Sequence, residues 1–185
     1  MGEVEAIAVA HGHWDHMAAL PATIDAILEQ SGQVTVYVNP GMFNERAIRP
    51  GSGRIVPVAK VPLPAELERH GATVVNSPVE RLPLDDHFYY SGEIPRISPF
   101  EKGRDDHLCR TGLDAAREPD PLLMDERMLV AHIRGLGLIG FRACSQAGIV
   151  NVCTHVRTLF VDIPIYAVMG GLHHDGDLEP ECWFI

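Results

Sequence analysis

The six residues His11-Gly12-His13-Trp14-Asp15-His16 carry three imidazoles and a carboxylate, and they directly follow the apolar run Ile7-Ala8-Val9-Ala10. A short apolar run ahead of a polar, glycine-containing string reads as a buried strand that ends in a loop, and residues 17–30 read as the helix that follows. A strand on one side and a helix on the other hold such a loop rigid, as a metal site requires of its ligands. His11 and His13 lie two apart on extended backbone, so their side chains point the same way and can share one ion. Asp15 and His16, at the start of the helix, can serve a second ion beside it.

The rest of the chain alternates helix with strand. Residues 34–38 are rich in β-branched residues and close on the turn Asn39-Pro40-Gly41. Residues 64–71 open on Pro64 and end on Gly71, the usual punctuation of a helix, and 72–76 follow as strand. Residues 87–94 read as another strand. The stretch 95–121 mixes glycine, proline and charge without sustained periodicity and is expected to be a lid or insertion loop. Residues 127–133 and 137–141 flank Arg134-Gly135-Leu136 and predict a hairpin. Ile149, Val152, Val156 and Leu159 recur at helical spacing, and 163–169 form a buried strand ending at Gly170-Gly171. This pattern predicts an α/β layered sheet, and 185 residues with 46% apolar content suit a single domain over 1–185.

A net charge of −10 argues against a surface that tracks nucleic-acid phosphates. Cys109, Cys144, Cys153 and Cys182 show no C-x-x-C spacing and read as free thiols in a reducing compartment. The first residues, Met1-Gly2-Glu3-Val4-Glu5, are acidic where a secretory signal is basic, and no apolar run is long enough to span a bilayer. The expectation is a soluble, cytoplasmic chain with no membrane partner.

The H-x-H-x-D-H string of residues 11–16 resembles the hallmark of the metallo-β-lactamase superfamily. Ser91-Gly92-Glu93-Ile94-Pro95-Arg96, Phe100-Glu101-Lys102-Gly103, Ala143-Cys144-Ser145-Gln146-Ala147-Gly148-Ile149-Val150-Asn151 and Met169-Gly170-Gly171-Leu172-His173 are similar to the branch that contains the archaeal dihydropterin ribofuranosylaminobenzene phosphate synthases. The resemblance runs from about Val4 to His173. It implies an αβ/βα sandwich, here incomplete, with outer strands missing at both termini and sheet edges that favour homo-oligomers. It also implies a metal set of His11, His13, Asp15, His16, Gln146 and His173 holding one or two Zn²⁺, with Mn²⁺ or Fe²⁺ as alternatives. Asp15 is the expected catalytic residue, orienting or deprotonating a water while holding the second ion.

The resemblance places histidine where this chain carries Gln146, an amide that is a poorer zinc ligand than imidazole. Either Gln146 ligates through its oxygen or His174 swings in. The expected activity is metal-dependent hydrolysis or transfer on a small anionic substrate, with a pterin or phosphate-containing compound as the narrower reading. Arg96 and Lys102, in the expected lid, are candidates to pair with substrate anions. The alternative is a catalytically impaired, truncated relative, a pseudoenzyme or binding module. A third reading is a protein that sequesters metal without a reaction. His70, His132 and His155 read as ordinary helix-end or half-buried residues, Asp85-Asp86-His87 and Asp105-Asp106-His107 as turns, and Cys144 as a packing residue.

Overall fold

A computed structural model describes residues 4–78, 81–83, 87–112 and 114–171. In chain order the elements begin with β1 (Ala6–Ala8), α1 (Trp14–Met17), α2 (Leu20–Ser31), β2 (Thr35–Val38), β3 (Glu45–Ile48), β4 (Val56–Pro57), α3 (Pro64–Arg69) and β5 (Thr73–Asn76). They continue with β6 (Arg81–Pro83), β7 (Phe88–Ser91), β8 (His107–Arg110), β9 (Glu118–Pro119), β10 (Leu129–Ile133), β11 (Gly137–Arg142), α4 (Ile149–Leu159) and β12 (Ile165–Gly170).

β1, β2 and β5 form a parallel sheet in that order, with Ile7 opposite Val36 and Val36 opposite Val74. A second, mixed sheet runs β12-β11-β10-β7-β6, in which the predicted hairpin pairs Leu129 with Phe141 and Ile133 with Gly137. Each sheet has its own core. Val36 and Val38 of the parallel sheet pack with Met17, Ile24 and Leu67 from α1, α2 and α3. Val130 and Leu138 of the mixed sheet pack with Val152, Val156 and Phe160, on and just after α4. Tyr90 of β7 reaches the first core, and its hydroxyl donates to Val9 O at 2.5 Å, just ahead of the histidine loop. The two sheets therefore meet where β1 ends.

The helix expected over 17–30 is broken into α1 and α2. Pro21 lacks an N–H and fits only the first turn, so the longer helix starts afresh at Leu20. The turn at Asn39 becomes a 3₁₀ turn, Pro40–Phe43, with the Asn39 side chain accepting from Gly41 N at 2.9 Å. The segment expected as a lid or insertion loop contributes β8 and β9 to a third, four-stranded sheet in the order β4-β3-β8-β9, with β8 pairing with β3 and β9 with β8. Strands of two to four residues are too short to display a period of two, which is why the sequence pattern did not disclose them. Among the described residues no helix is long and apolar enough to cross a membrane.

Candidate metal centre

The loop after β1 is fixed from below by Asp125. Its carboxylate accepts from Gly12 N at 2.8 Å and from Arg46 Nη2 at 2.7 Å, and Oδ2 lies 3.6 Å from His11 Nδ1. Arg46 also donates to Gly12 O at 3.3 Å and to Gly41 O at 3.1 Å, and Asn39 Nδ2 donates to Asp125 O at 2.7 Å. Burial alone would raise the Asp125 pKa. The surrounding His11, Arg46 and the Gly12 N–H outweigh burial and bring it down to about 2, so Asp125 and Arg46 form a buried ion pair. Gly12 packs so closely on the 3₁₀ turn that a Cβ would stand 2.5 Å from the Met42 Cα and carbonyl oxygen.

The second loop is fixed by the next residue. Glu126 is fully buried and accepts from Ser145 N at 2.9 Å, from Ala147 N, and from Arg142 Nη2 at 3.2 Å. The main chain curls around this anion, and Ser145 adopts a φ of 72°, an uncommon conformation for a residue with a side chain. Beyond the loop, Glu101 accepts from Val150 N at 2.9 Å and Asn151 N at 2.7 Å, capping the start of α4. Asn151 Oδ1 in turn accepts from Ile97 N at 2.8 Å and Ser98 N at 2.7 Å. Residues 97–101 are thus fastened to α4.

Where the two loops face each other, a ring nitrogen of His11, one of His16 and the Cys144 sulfur all lie within 4.8 Å of one another. His16 Nε2 is 2.8 Å from Cys144 Sγ and 3.4 Å from Asp15 Oδ2, and the His11 and His16 ring centroids are 5.5 Å apart. His11 is fully buried; its Nδ1 is approached by Asp125 at 3.6 Å, while its Nε2 has no hydrogen-bond partner. Buried polar groups without partners are costly, and two imidazoles and a thiol form a donor set suited to a divalent ion such as Zn²⁺. The residues therefore fit a metal. Burial, followed by the charges of Asp15 and Glu126, pushes the Cys144 thiol up, so cation binding there has to release a proton.

The expected ligands separate into groups. His11 and His16 converge, whereas His13, which was expected to share an ion with His11, lies outside that cluster. His13 is the N-cap of α1, so the backbone leaves its extended path there, and one helical turn later His16 reaches the side of His11. The His13 ring stands 3.9 Å from that of His11, edge-on, and stacks on His107 at 5.7 Å and 21°. Burial, reinforced by His11 and Arg46, lowers the His13 pKa to about 3. Asp15 is exposed beside His16. Gln146 is buried, and its Oε1 has no hydrogen-bond partner. His173 and His174 lie outside the described residues. Arg96 directs its guanidinium to main-chain oxygens, those of Ile94, Leu122 and Leu123, with Nε 3.0 Å from Leu122 O, and Lys102 is exposed.

Two single residues and one adjacent pair gain roles that the sequence reading missed. Cys144, expected to serve packing, contributes its sulfur to the donor cluster. His107, expected in a turn, opens β8 and is buried against His13, with Asp106 Oδ1 2.9 Å from its Nδ1. The third is Asp125 with its neighbour Glu126, acting as a pair. No motif marks them.

No family model matches the chain, and no curated protein matches it. Its structure is similar to the crystal structure of Tm1679, a metal-dependent hydrolase of the β-lactamase superfamily, with a TM-score of 0.69 and 19% identity. The match covers 93% of this chain and 58% of that one, so the chain spans somewhat over half the length of the solved structure. The fold is an αβ/βα sandwich of the metallo-β-lactamase type.

Proposed function

We propose that this chain is a metal-dependent hydrolase or transferase that binds a divalent ion, Zn²⁺ by preference, at His11, His16 and Cys144. The observation that carries the reading is the convergence of these three donors within 4.8 Å, at the junction of two loops that adjacent buried carboxylates hold in place. Imidazole and thiolate together favour zinc over the harder Mn²⁺, with Fe²⁺ the nearer rival. Such an ion supplies Lewis acidity, polarising a carbonyl or phosphoryl oxygen and making water a usable nucleophile near neutral pH.

The chain's own residues do the rest. Asp125 holds His11 and its loop against Arg46, and Glu126 presents Cys144 by shaping the loop around Ser145. Asp15, exposed beside His16, is positioned to accept a proton from an attacking water or alcohol at the open side of the cluster. Gln146 and His13 are the adjoining donors for a second ion or for substrate, and His173 is proposed as a further ligand. The substrate is a small anion, with phosphate esters and pterins the classes to screen.

A second reading, a catalytically impaired relative, is favoured by Gln146 standing where the resemblance puts histidine and by His13 stacking on His107 rather than joining the cluster. Elemental analysis of the purified protein beside His16→Ala and Cys144→Ser separates the readings. About one equivalent of zinc, lost in both variants, with turnover of bis(p-nitrophenyl) phosphate or p-nitrophenyl acetate, is the expected result. Zinc without turnover supports the impaired relative. No metal after reconstitution overturns the enzyme reading and favours the non-catalytic relative.

A further inference from the structure

The parallel sheet ends at β1, which pairs on one side only, with β2. Glu5 O accepts from Thr35 N at 2.9 Å and Val9 N donates to Tyr37 O at 3.0 Å, so the odd-numbered residues turn their peptide groups toward β2. Alternate residues of a parallel strand bond the same neighbour, and Ala6 and Ala8 therefore turn their N–H and C=O groups to the other side. Among the described residues no strand pairs with β1 there. The open edge stops at Ala10, whose oxygen accepts from Arg127 N at 2.7 Å. β1 carries no charged side chain or proline that would discourage another chain from pairing with it.

Two cavities border this edge, and Ala8 and Leu129 line both. One, of about 270 Å³, lies beside Ala8 where a next strand would run, between Leu20 of α2 and Leu129 and Phe141 of the mixed sheet, and it reaches His16. The other, of about 520 Å³, continues past Ala6 and Phe88 to Glu5. Glu5 is exposed and marks one end of the pair, and His16 marks the other. Arg142 also borders the smaller cavity, its charge balanced by the buried Glu126 at 3.2 Å.

We infer that the open edge of β1 binds a short extended peptide, which adds to the parallel sheet as a fourth strand. Its main chain pairs with Ala6 and Ala8, and its alternate side chains enter the cavities, one set toward Leu20 and the other toward Leu129 and Phe141. From Glu5 to Ala10 the edge has room for about five residues at about 3.3 Å each. Charge sets the direction. Running parallel to β1, the peptide brings its ammonium to Glu5 and its carboxylate to His16, whereas the reverse direction sets two carboxylates together at Glu5. Asp15, whose carboxylate lies 3.4 Å from His16 Nε2, opposes the peptide carboxylate, so that one contact rests on the ion proposed at His16 and Cys144, and the edge itself does not.

The test is calorimetric titration of the full chain, zinc-loaded and chelator-treated, with the peptide Val-Ala-Val-Ala-Val. The expected result is one saturable site in both forms. N-methylation of the peptide at its second and fourth residues, or at its third and fifth, blocks opposite edges of the strand, so one pattern weakens binding about tenfold and the other leaves it within about twofold. N-acetylation of the peptide and Glu5→Gln each weaken it about threefold. Amidation of its carboxyl end weakens binding in the zinc-loaded protein alone; an effect in neither form removes the metal contact and keeps the edge. Ala8→Pro deletes the outward N–H while Ile7 and Val9 keep their bonds to β2, and it weakens binding about tenfold. The methylated peptides decide the matter should that variant fail to fold. Absence of saturable binding overturns the inference, as do equal effects of the two methylation patterns. Binding that appears only in a chain ending at Gly171 also overturns it, since the chain's own later residues would then hold the edge. A peptide that binds only by splitting a sedimenting dimer does the same, giving the edge to a second copy.

Discussion

The loop of residues 10–16 and the loop of residues 143–148 reach the candidate metal centre from different sheets, and adjacent acids secure them by different means. Asp125 works through charge, with Arg46 on one oxygen and a single N–H, that of Gly12, on the other. Glu126 works mainly through the main chain, drawing two N–H groups, of Ser145 and Ala147, onto one carboxylate, with Arg142 at a longer 3.2 Å. The first arrangement leaves the loop backbone ordinary and orients an imidazole. The second shapes the backbone itself, which explains the positive φ at Ser145. Two neighbouring carboxylates thus solve two separate problems, the aim of His11 and the path that carries Cys144.

Asp125→Ala should have the largest effect, because it leaves Arg46 buried without its carboxylate. A loss of about 3–5 kcal/mol is expected in urea denaturation, together with loss of metal. Glu126→Gln keeps an acceptor oxygen but offers the loop one good acceptor where it had two, so about 2–3 kcal/mol is expected. Its Co²⁺-substituted form should lose the thiolate charge-transfer band while imidazole ligation persists. If Glu126→Gln instead removed metal as completely as Asp125→Ala, the division of labour between the two acids would be wrong. Glu101→Gln weakens only the cap of α4 and should cost about 1 kcal/mol, read as a shift in the thermal midpoint.

A further effect concerns pH. His13 titrates at about 3 in the folded chain against an ordinary 6.5, so between those values the unfolded chain binds a proton that the folded chain refuses. Stability of the chelator-treated protein should therefore fall as pH drops from 6.5 toward 3, and His13→Gln should flatten that part of the profile. An unchanged profile would show that His13 is not held neutral by its surroundings.

The histidine-rich loop, its strand, the hairpin of β10 and β11, α4 and β12 were all legible, because each has a period or punctuation that survives without tertiary context. The four-stranded sheet was not, since its strands are too short to declare themselves and depend on long-range partners. The site was legible only in part. Simple alternation predicted that His11 and His13 act together, and their rings do stand 3.9 Å apart, while the start of α1 at Trp14 also brings His16 to the donor cluster. Asp125 and Glu126 carry no signature because their roles exist only once distant segments arrive beside them.

That dependence has a consequence for the order in which the molecule assembles. Glu126 reaches its loop across 19 to 21 residues, within the hairpin and the turn after it, whereas Asp125 meets Gly12 across 113. The short closure costs less chain entropy and can form early, and the long one must wait until both sheets are present. The half-site bearing Cys144 should then exist before the half bearing His11 and His16, so the arrival of all three donors marks the completion of folding. Thiolate-to-cobalt absorbance, followed during refolding, would time that last step directly.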